Sequence, residues 1–338
     1  MARRPRRSAS IPLRLFKLLY TLLVIVCAII VVGYCVIRLT FRPPEVEQSP
    51  VVTLRPTDNP TTEEDESTGQ PEVVTLTRKE KFYTFLLMGS DDGNGNADTI
   101  MVGAFDVANS KIGVLSIPRD TLVDVERTVK KINGAYGQGG VEQLLDELSQ
   151  ILGFRPDHYI KVDIQAFVDI VNLLGGVSFY VPQDMYHNDG AGFIIDLKEG
   201  TQWLDGEQAL QLVRYRGYDN ADLGRIQTQQ KFLQQMAKQV LSWTTVTKIN
   251  EYAKVFETYF DTDLSVTELA YFGTQALSLD FSSDVTFATL PGDGSVSYLG
   301  LPWYYQLYPD QCLELINDMV NPYTTEITPD MVHIFQVS

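Results

Sequence analysis

Twenty consecutive residues without a charge, residues 18–37, divide this chain before any pattern inside it is read. A helix of about that length crosses the roughly 30 Å hydrocarbon layer of a bilayer, so the run predicts one transmembrane helix at residues 18–37. Ahead of it stand Arg3, Arg4, Arg6, Arg7, Arg14 and Lys17 with no acid, and close behind it only Arg38 and Arg42. The positive-inside bias makes residues 1–17 a cytoplasmic basic tail and carries everything after about residue 38 outside the cell membrane, a single-pass topology with the N-terminus inside. A cleaved signal peptide competes with this reading, but its apolar core is about 7–15 residues long and ends at small residues. This run is longer, and no such site follows it.

Residues 38–80 carry Pro43, Pro44, Pro50, Pro56, Pro60, Pro71 and the acidic run Glu63, Glu64, Asp65 and Glu66. Little there can bury a core, so an extended, disordered extracellular linker is expected. Without the six cations of the tail, the rest of the chain holds 21 basic against 43 acidic residues, a net charge of −22. A body this acidic excludes nucleic acid as its partner, because a phosphate backbone demands a basic face. Cys27, Cys35 and Cys312 make neither a disulfide framework nor a CxxC metal site.

From residue 81 the chain alternates. Residues 83–88, 99–107, 112–117, 159–163, 177–181 and 285–290 are short runs rich in β-branched and aromatic residues and read as strands. Residues 141–152, 165–174, 205–212, 266–277 and 311–320 have apolar residues at helical spacing, and Asp205 is placed as an N-cap. Residues 213–217 read as extended, 291–305 as a Gly- and aromatic-rich loop, and 331–337 as a strand. The alternation predicts an α/β fold, a layered α-β-α sandwich with a central mixed sheet. Residues 81–243 carry all the motifs described next, and 244–338 pack on or continue that domain.

In this acidic body one stretch is basic: Arg214-Tyr-Arg216, then Asp222, Arg225, Gln229 and Lys231. On a helix starting near Asp222, at about 100° per residue, Asp222, Arg225 and Gln229 share a stripe that Phe232, Leu233, Met236 and Val240 continue. Arg225 and Gln229 therefore point inward. An inward arginine requires an anionic partner, either a structural acid such as Asp222 or a bound anion. Further cations come from Ser116-Ile-Pro118-Arg119-Asp120, where Pro118 ends a strand, and from Lys131-Ile-Asn133-Gly-Ala-Tyr136, just before a helix.

After the first strand, Asp92, Asn94 and Asn96 imitate the opening of an EF-hand loop, but Ala97 and Gly103 stand where Gly and a bidentate Glu are required. What survives is a pair of carboxylates, Asp91 and Asp98, suited to one hard cation shared with phosphate oxygens. Taken together, Arg119, Lys131, Arg214, Arg216 and Arg225, with these two acids, describe a site for a pyrophosphate-like polyanion. His158, His187 and His333 fall in no motif with a serine or cysteine, and there is no P-loop and no GxGxxG. Cations and metal without a nucleophile fit direct in-line transfer from a diphosphate.

Ala-Asp98-Thr-Ile-Met-Val, Ser-Ile-Pro-Arg119-Asp120-Thr-Leu-Val, Lys131-Ile-Asn-Gly-Ala-Tyr, Arg214-Tyr-Arg216 and Asp222-x-x-Arg225-x-x-x-Gln229-Gln, behind a single anchor, closely resemble the LytR-CpsA-Psr family in order and spacing, over about residues 82–243. The resemblance implies a transferase of cell wall biogenesis that moves a glycopolymer such as a teichoic acid or capsule from an undecaprenyl-diphosphate carrier to the muramic acid 6-hydroxyl of peptidoglycan. It implies Mg²⁺ (or Mn²⁺) held by Asp91 and Asp98. Arg119, Arg214, Arg216, Arg225 and Gln229 would contact the diphosphate, with Lys131 beside them, and an apolar tunnel would take the polyprenyl tail. Asp98, Arg119, Arg225 and Asp222 are the expected catalytic set, Asp222 as a base, an orienter of Arg225 or a cap. The sequence departs from the family pattern at Asn96 and Thr228, where arginine is common. A polyprenyl-diphosphate hydrolase and a non-catalytic lipid-binding regulatory module are the alternatives.

Overall fold

A computed structural model describes residues 43–46, 51–53, 73–91, 95–162, 164–188, 190, 192–218, 222–240, 260–280 and 282–337. The expected transmembrane helix and basic tail lie outside these residues, and among the described helices none is long and apolar enough to cross a membrane. Inside the expected linker, β1 (Val51–Thr53) and β2 (Val73–Thr75) pair antiparallel. The packed body also begins before residue 81. Leu76 joins the core, and buried Arg78 donates to Asp157 at 2.6 Å.

The remaining strands are β3 (Phe82–Asp91), β4 (Asn96–Asp106), β5 (Lys111–Ser116), β6 (His158–Val162), β7 (Val177–Val181), β8 (Met185–Asn188), β9 (Ile194–Leu197), β10 (Gly200–Leu204), β11 (Phe260–Thr262), β12 (Val285–Thr289), β13 (Gly292–Tyr298) and β14 (Leu301–Leu307). The helices are α1 (Gly134–Leu152), α2 (Ile164–Leu173), α3 (Gly206–Arg214), α4 (Asp222–Val240), α5 (Val266–Ala276) and α6 (Pro309–Met319). Six strands form one mixed sheet in the order β11-β6-β3-β4-β5-β12, with β3–β6 and β5–β12 parallel and the other pairs antiparallel. The C-terminal part thus supplies both edges of the sheet.

Strand alternation sends successive side chains to opposite faces, and the layers follow from it. Leu86, Met88, Ile100, Val102 and Ala104 join Leu144 and Leu148 of α1 and Cys312 and Ile316 of α6 in one core. On the other face Tyr83, Phe85 and Phe105 pack on Phe272 of α5, with ring centroids 5.1, 5.0 and 6.1 Å apart. Leu87 and Met101, also on that face, look into a cavity beneath α2, α3 and α4. Helices on both faces of a mixed sheet make the layered α-β-α arrangement.

Three local expectations differ. α1 begins seven residues early and bends at Gly139 and Gly140. Its glycines are poor helix formers, but Gly137 lets the first turns close on the β3–β4 turn, where a Cβ would come 2.5 Å from the Gly95 carbonyl. Residues 291–305, expected as a loop, form most of the β13–β14 hairpin, whose ladder is broken by register shifts that hide the period of two. Residues 331–337 do not form a strand; a 3₁₀ turn at Pro329–Met331 leads into irregular chain.

Glu147 of α1, its side chain 1% exposed, accepts from both terminal nitrogens of Arg127 at 2.5 and 2.8 Å, and Arg127 also donates to the Lys131 carbonyl. This clasp holds the segment after Arg119 against α1. Glu147→Ala leaves the guanidinium buried without its acid and is expected to cost about 3–5 kcal/mol, read as a lowered denaturation midpoint at unchanged slope.

Candidate functional site

α4 places the site. Its first turns carry Arg225, 3% exposed, and Gln229; its later turns carry Phe232, Leu233 and Met236. All five line one cavity of 1090 Å³. The opposite walls come from the sheet, through Leu87, Met101, Ile160 and Val162, and from α2, through Ile164, Phe167 and Ile170. The inward stripe read from helical periodicity is therefore the wall of a cavity, polar at one end of the helix and apolar along the rest.

Six of the nine expected site residues line this cavity: Asp98, Arg119, Arg214, Arg216, Arg225 and Gln229. Asp98 follows the β3–β4 turn, and Arg119 emerges after β5 because Pro118 ends the strand. The Arg119 Nη1 donates to Asp98 Oδ1 at 2.5 Å. A second space of 10 Å³ touches Asp98, Arg119, Arg225 and Gln229 together. Gln229 Nε2 donates to the Val213 carbonyl at 3.0 Å, which fastens α4 to the end of α3 beside Arg214 and Arg216. Residues 213–217 are not all extended. α3 continues through Arg214 and the chain straightens at Tyr215, yet both arginines still reach the cavity. Asp205 caps α3 in a complete capping box with Gln208.

Lys131 is not part of the cavity wall; its Nζ pairs with Asp120 Oδ1 at 3.0 Å and lies 5.4 Å from the Tyr304 ring centre. Asp120 also lies 3.9 Å from Arg119 Nε, so Lys131 is one carboxylate away from that arginine, and Asn133 from the same motif lines the cavity. The side chains of Asp91 and Asp222 lie outside the described residues. Among those that are described, no group of three or more His, Cys, Asp or Glu is placed to hold a metal ion.

Sequence reasoning missed two contributors. Gln230 donates from Nε2 to Ser116 Oγ, the Ala288 carbonyl and Thr289 Oγ1 at 2.8, 3.1 and 3.2 Å, pinning α4 across β5 and β12. Its signal was the Gln pair itself. Phe193, beside β9, has its ring 4.7 Å from the Arg214 guanidinium and closes the cavity with His187 and Ile195; no local pattern marked it. Cys312 is fully buried and its thiol is pushed up to about 12 by burial, so it offers no thiolate nucleophile.

Four guanidinium groups, one of them buried, share the wall of this cavity with the apolar side chains of Leu87, Phe167, Phe232 and Met236. A model of the LytR_cpsA_psr family matches residues 51–321. The regulatory protein MsrR of Staphylococcus aureus (strain COL) is 31% identical over 214 residues, 62% of this chain and 64% of its own length. The chain thus aligns with less than two thirds of that relative. The polyisoprenyl-teichoic acid–peptidoglycan teichoic acid transferase TagV of Bacillus subtilis (strain 168) is 31% identical over 272 residues, 77% of this chain and 68% of that protein. The crystal structure of B. subtilis TagV superposes with a TM-score of 0.62 at 24% identity, covering 71% of this chain and 96% of that one. The structure of TagT bound to LIIa-WTA gives 0.58 at 25% identity, covering 71% and 89%. The chain belongs to the LytR-CpsA-Psr family.

Proposed function

We propose that this protein is a glycopolymer phosphotransferase, anchored in the cell membrane by residues 18–37 with its folded body outside. It takes a glycan linked to undecaprenyl diphosphate and joins it to peptidoglycan. The observation that carries this reading is the continuity of the arginine-rich and apolar walls along α4, which suits a diphosphate with a polyprenyl tail. The names of TagV and of TagT bound to LIIa-WTA support the same donor and acceptor classes.

In the proposed reaction the muramic acid 6-hydroxyl attacks the phosphorus that bears the glycan. The P–O–P anhydride breaks, polyprenyl phosphate leaves, and the hydroxyl proton is lost as the phosphodiester forms. Arg119, Arg214, Arg216 and Arg225 stabilise the charge that grows on the leaving phosphate, and Asp222 orients Arg225 or receives the proton. Asp98 keeps its side chain 37% exposed and gives one oxygen to Arg119. Asp98 and Asn96 both line the cavity, a donor set that fits a hard cation sharing phosphate oxygens. Mg²⁺ or Mn²⁺, held there by Asp98 with Asp91, would neutralise phosphate charge.

The test incubates the full chain in vesicles with an undecaprenyl-diphosphate oligosaccharide and soluble peptidoglycan. Coupled phosphodiester product is expected, and chelating divalent metal should lower its rate by about 10²–10³, recovered by Mg²⁺. Release of lipid phosphate without coupling would make the protein a hydrolase. Tight donor binding without turnover would make it a lipid-binding module.

A further inference from the structure

The β13–β14 hairpin spends conformational energy to display an aromatic side chain. Trp303 sits at φ +66°, in the left-handed region that side chains with a Cβ avoid, whereas Leu299, at φ +51°, forms with Gly300 the two-residue turn of the hairpin, which requires positive φ. Both are exposed, at 69% and 65%, whereas the neighbouring Tyr304 and Tyr305 are 0% and 9% exposed. Strain of this kind persists where surrounding structure enforces it and clusters at functional surfaces.

The base of the hairpin is fastened beside the cavity. Tyr305 N donates to the Asp120 carbonyl at 2.9 Å and the Tyr305 carbonyl accepts from Leu122 N at 2.9 Å. Thr121 and Tyr305 pair in parallel, so the residues preceding Tyr305 lie on the side of Arg119 and Asp120. The Tyr304 ring carries Lys131 over it, and Lys131 holds Asp120. Trp303 therefore lies two residues before this anchor, on the Arg119 side of the pairing, and does not line the cavity.

We propose that Trp303 is the stacking platform of an acceptor subsite that binds the glycan strand of peptidoglycan. The proposal rests on the transferase reading for the identity of that glycan. An exposed indole face is negative at its centre and meets the C–H face of a pyranose favourably, while Ser297, exposed on β13, supplies a small hydroxyl for sugar oxygens. The charge pattern favours a sugar over a bilayer. Residues 291–308 contain five aromatic residues, no Lys or Arg, and Asp293. A hairpin that seats on an anionic lipid surface carries basic residues beside its aromatic ones. This one has none.

The test uses the full chain in nanodiscs and a soluble tetrasaccharide of alternating N-acetylglucosamine and N-acetylmuramic acid. Trp303→Ala should weaken tetrasaccharide binding at least about tenfold and raise the acceptor KM to match, while Trp303→Tyr recovers most of both. Donor affinity is read in parallel, to show that the loss falls on the acceptor. Trp303→Gly, which suits the left-handed backbone, should melt above Trp303→Ala yet bind no better, which separates lost stacking from a damaged hairpin. Equal binding by Trp303→Ala and the parent overturns the proposal. So does fluorescence quenching by bromine-labelled lipid that disappears in Trp303→Phe, which would place the indole in the bilayer. Trp303-dependent binding without any transfer would sink the transferase reading and leave the sugar platform; transfer with an unchanged acceptor KM in Trp303→Ala does the reverse.

Discussion

Arg225→Lys is expected to lower kcat/KM for glycopolymer transfer by about 10²–10³ while the denaturation midpoint stays within a few degrees. Arg225 is 3% exposed and borders both the main cavity and the small space it shares with Asp98 and Arg119. A guanidinium there offers a planar fork that binds two phosphate oxygens at once; a lysine keeps the charge but offers a single, strongly hydrated point. Removing one preorganised donor from developing phosphate charge ordinarily costs that much in rate. Steady-state kinetics with thermal denaturation measure the two quantities separately. Full activity in the lysine variant would take Arg225 out of the reaction and return it to a structural ion pair.

Met236→Trp should separate a lipid cavity from an ordinary core. Met236 lies on the cavity wall with Phe232 and Leu233, about three helical turns beyond Arg225. An indole there would take space from the proposed polyprenyl tail. Each methylene excluded forfeits about 0.8 kcal/mol, so losing four or five carbons from contact costs about 3–4 kcal/mol, or two to three decades of affinity. An undecaprenyl donor should lose that affinity, whereas a donor with a two-isoprene tail should be nearly unaffected. In a filled core the same substitution overpacks and destabilises by about 1–3 kcal/mol. A variant that is destabilised yet binds both donors normally would therefore contradict the lipid assignment.

The sheet and α4 were legible for the same reason: their residues repeat with the period of the element. Residues 85–88 alternate between the α1 core and the opposite face of the sheet, where Phe85 meets Phe272 and Leu87 lines the cavity, and Arg225, Gln229, Phe232, Leu233 and Met236 recur at helical spacing on one cavity wall. What stayed hidden depends on contacts distant in sequence. That Lys131 reaches Arg119 only through Asp120, with the Tyr304 ring beneath it, is set by residues far apart in the chain. Phe193 lies between Gly192 and the start of β9 and acquires its role only when Arg214 is brought beneath its ring. The first half of α1 carries glycines, which are poor helix formers, and the need for one at 137 shows only in its close approach to Gly95. Bulged register concealed the β13–β14 hairpin.

The most direct measurement is a crystal structure with a non-hydrolysable undecaprenyl-diphosphate glycan bound. The diphosphate is predicted among Arg119, Arg214, Arg216 and Arg225, with the tail against Phe167, Phe232 and Met236. A diphosphate bound away from these arginines, or a tail lying outside the cavity, would contradict the assignment of α4 as the wall that holds both.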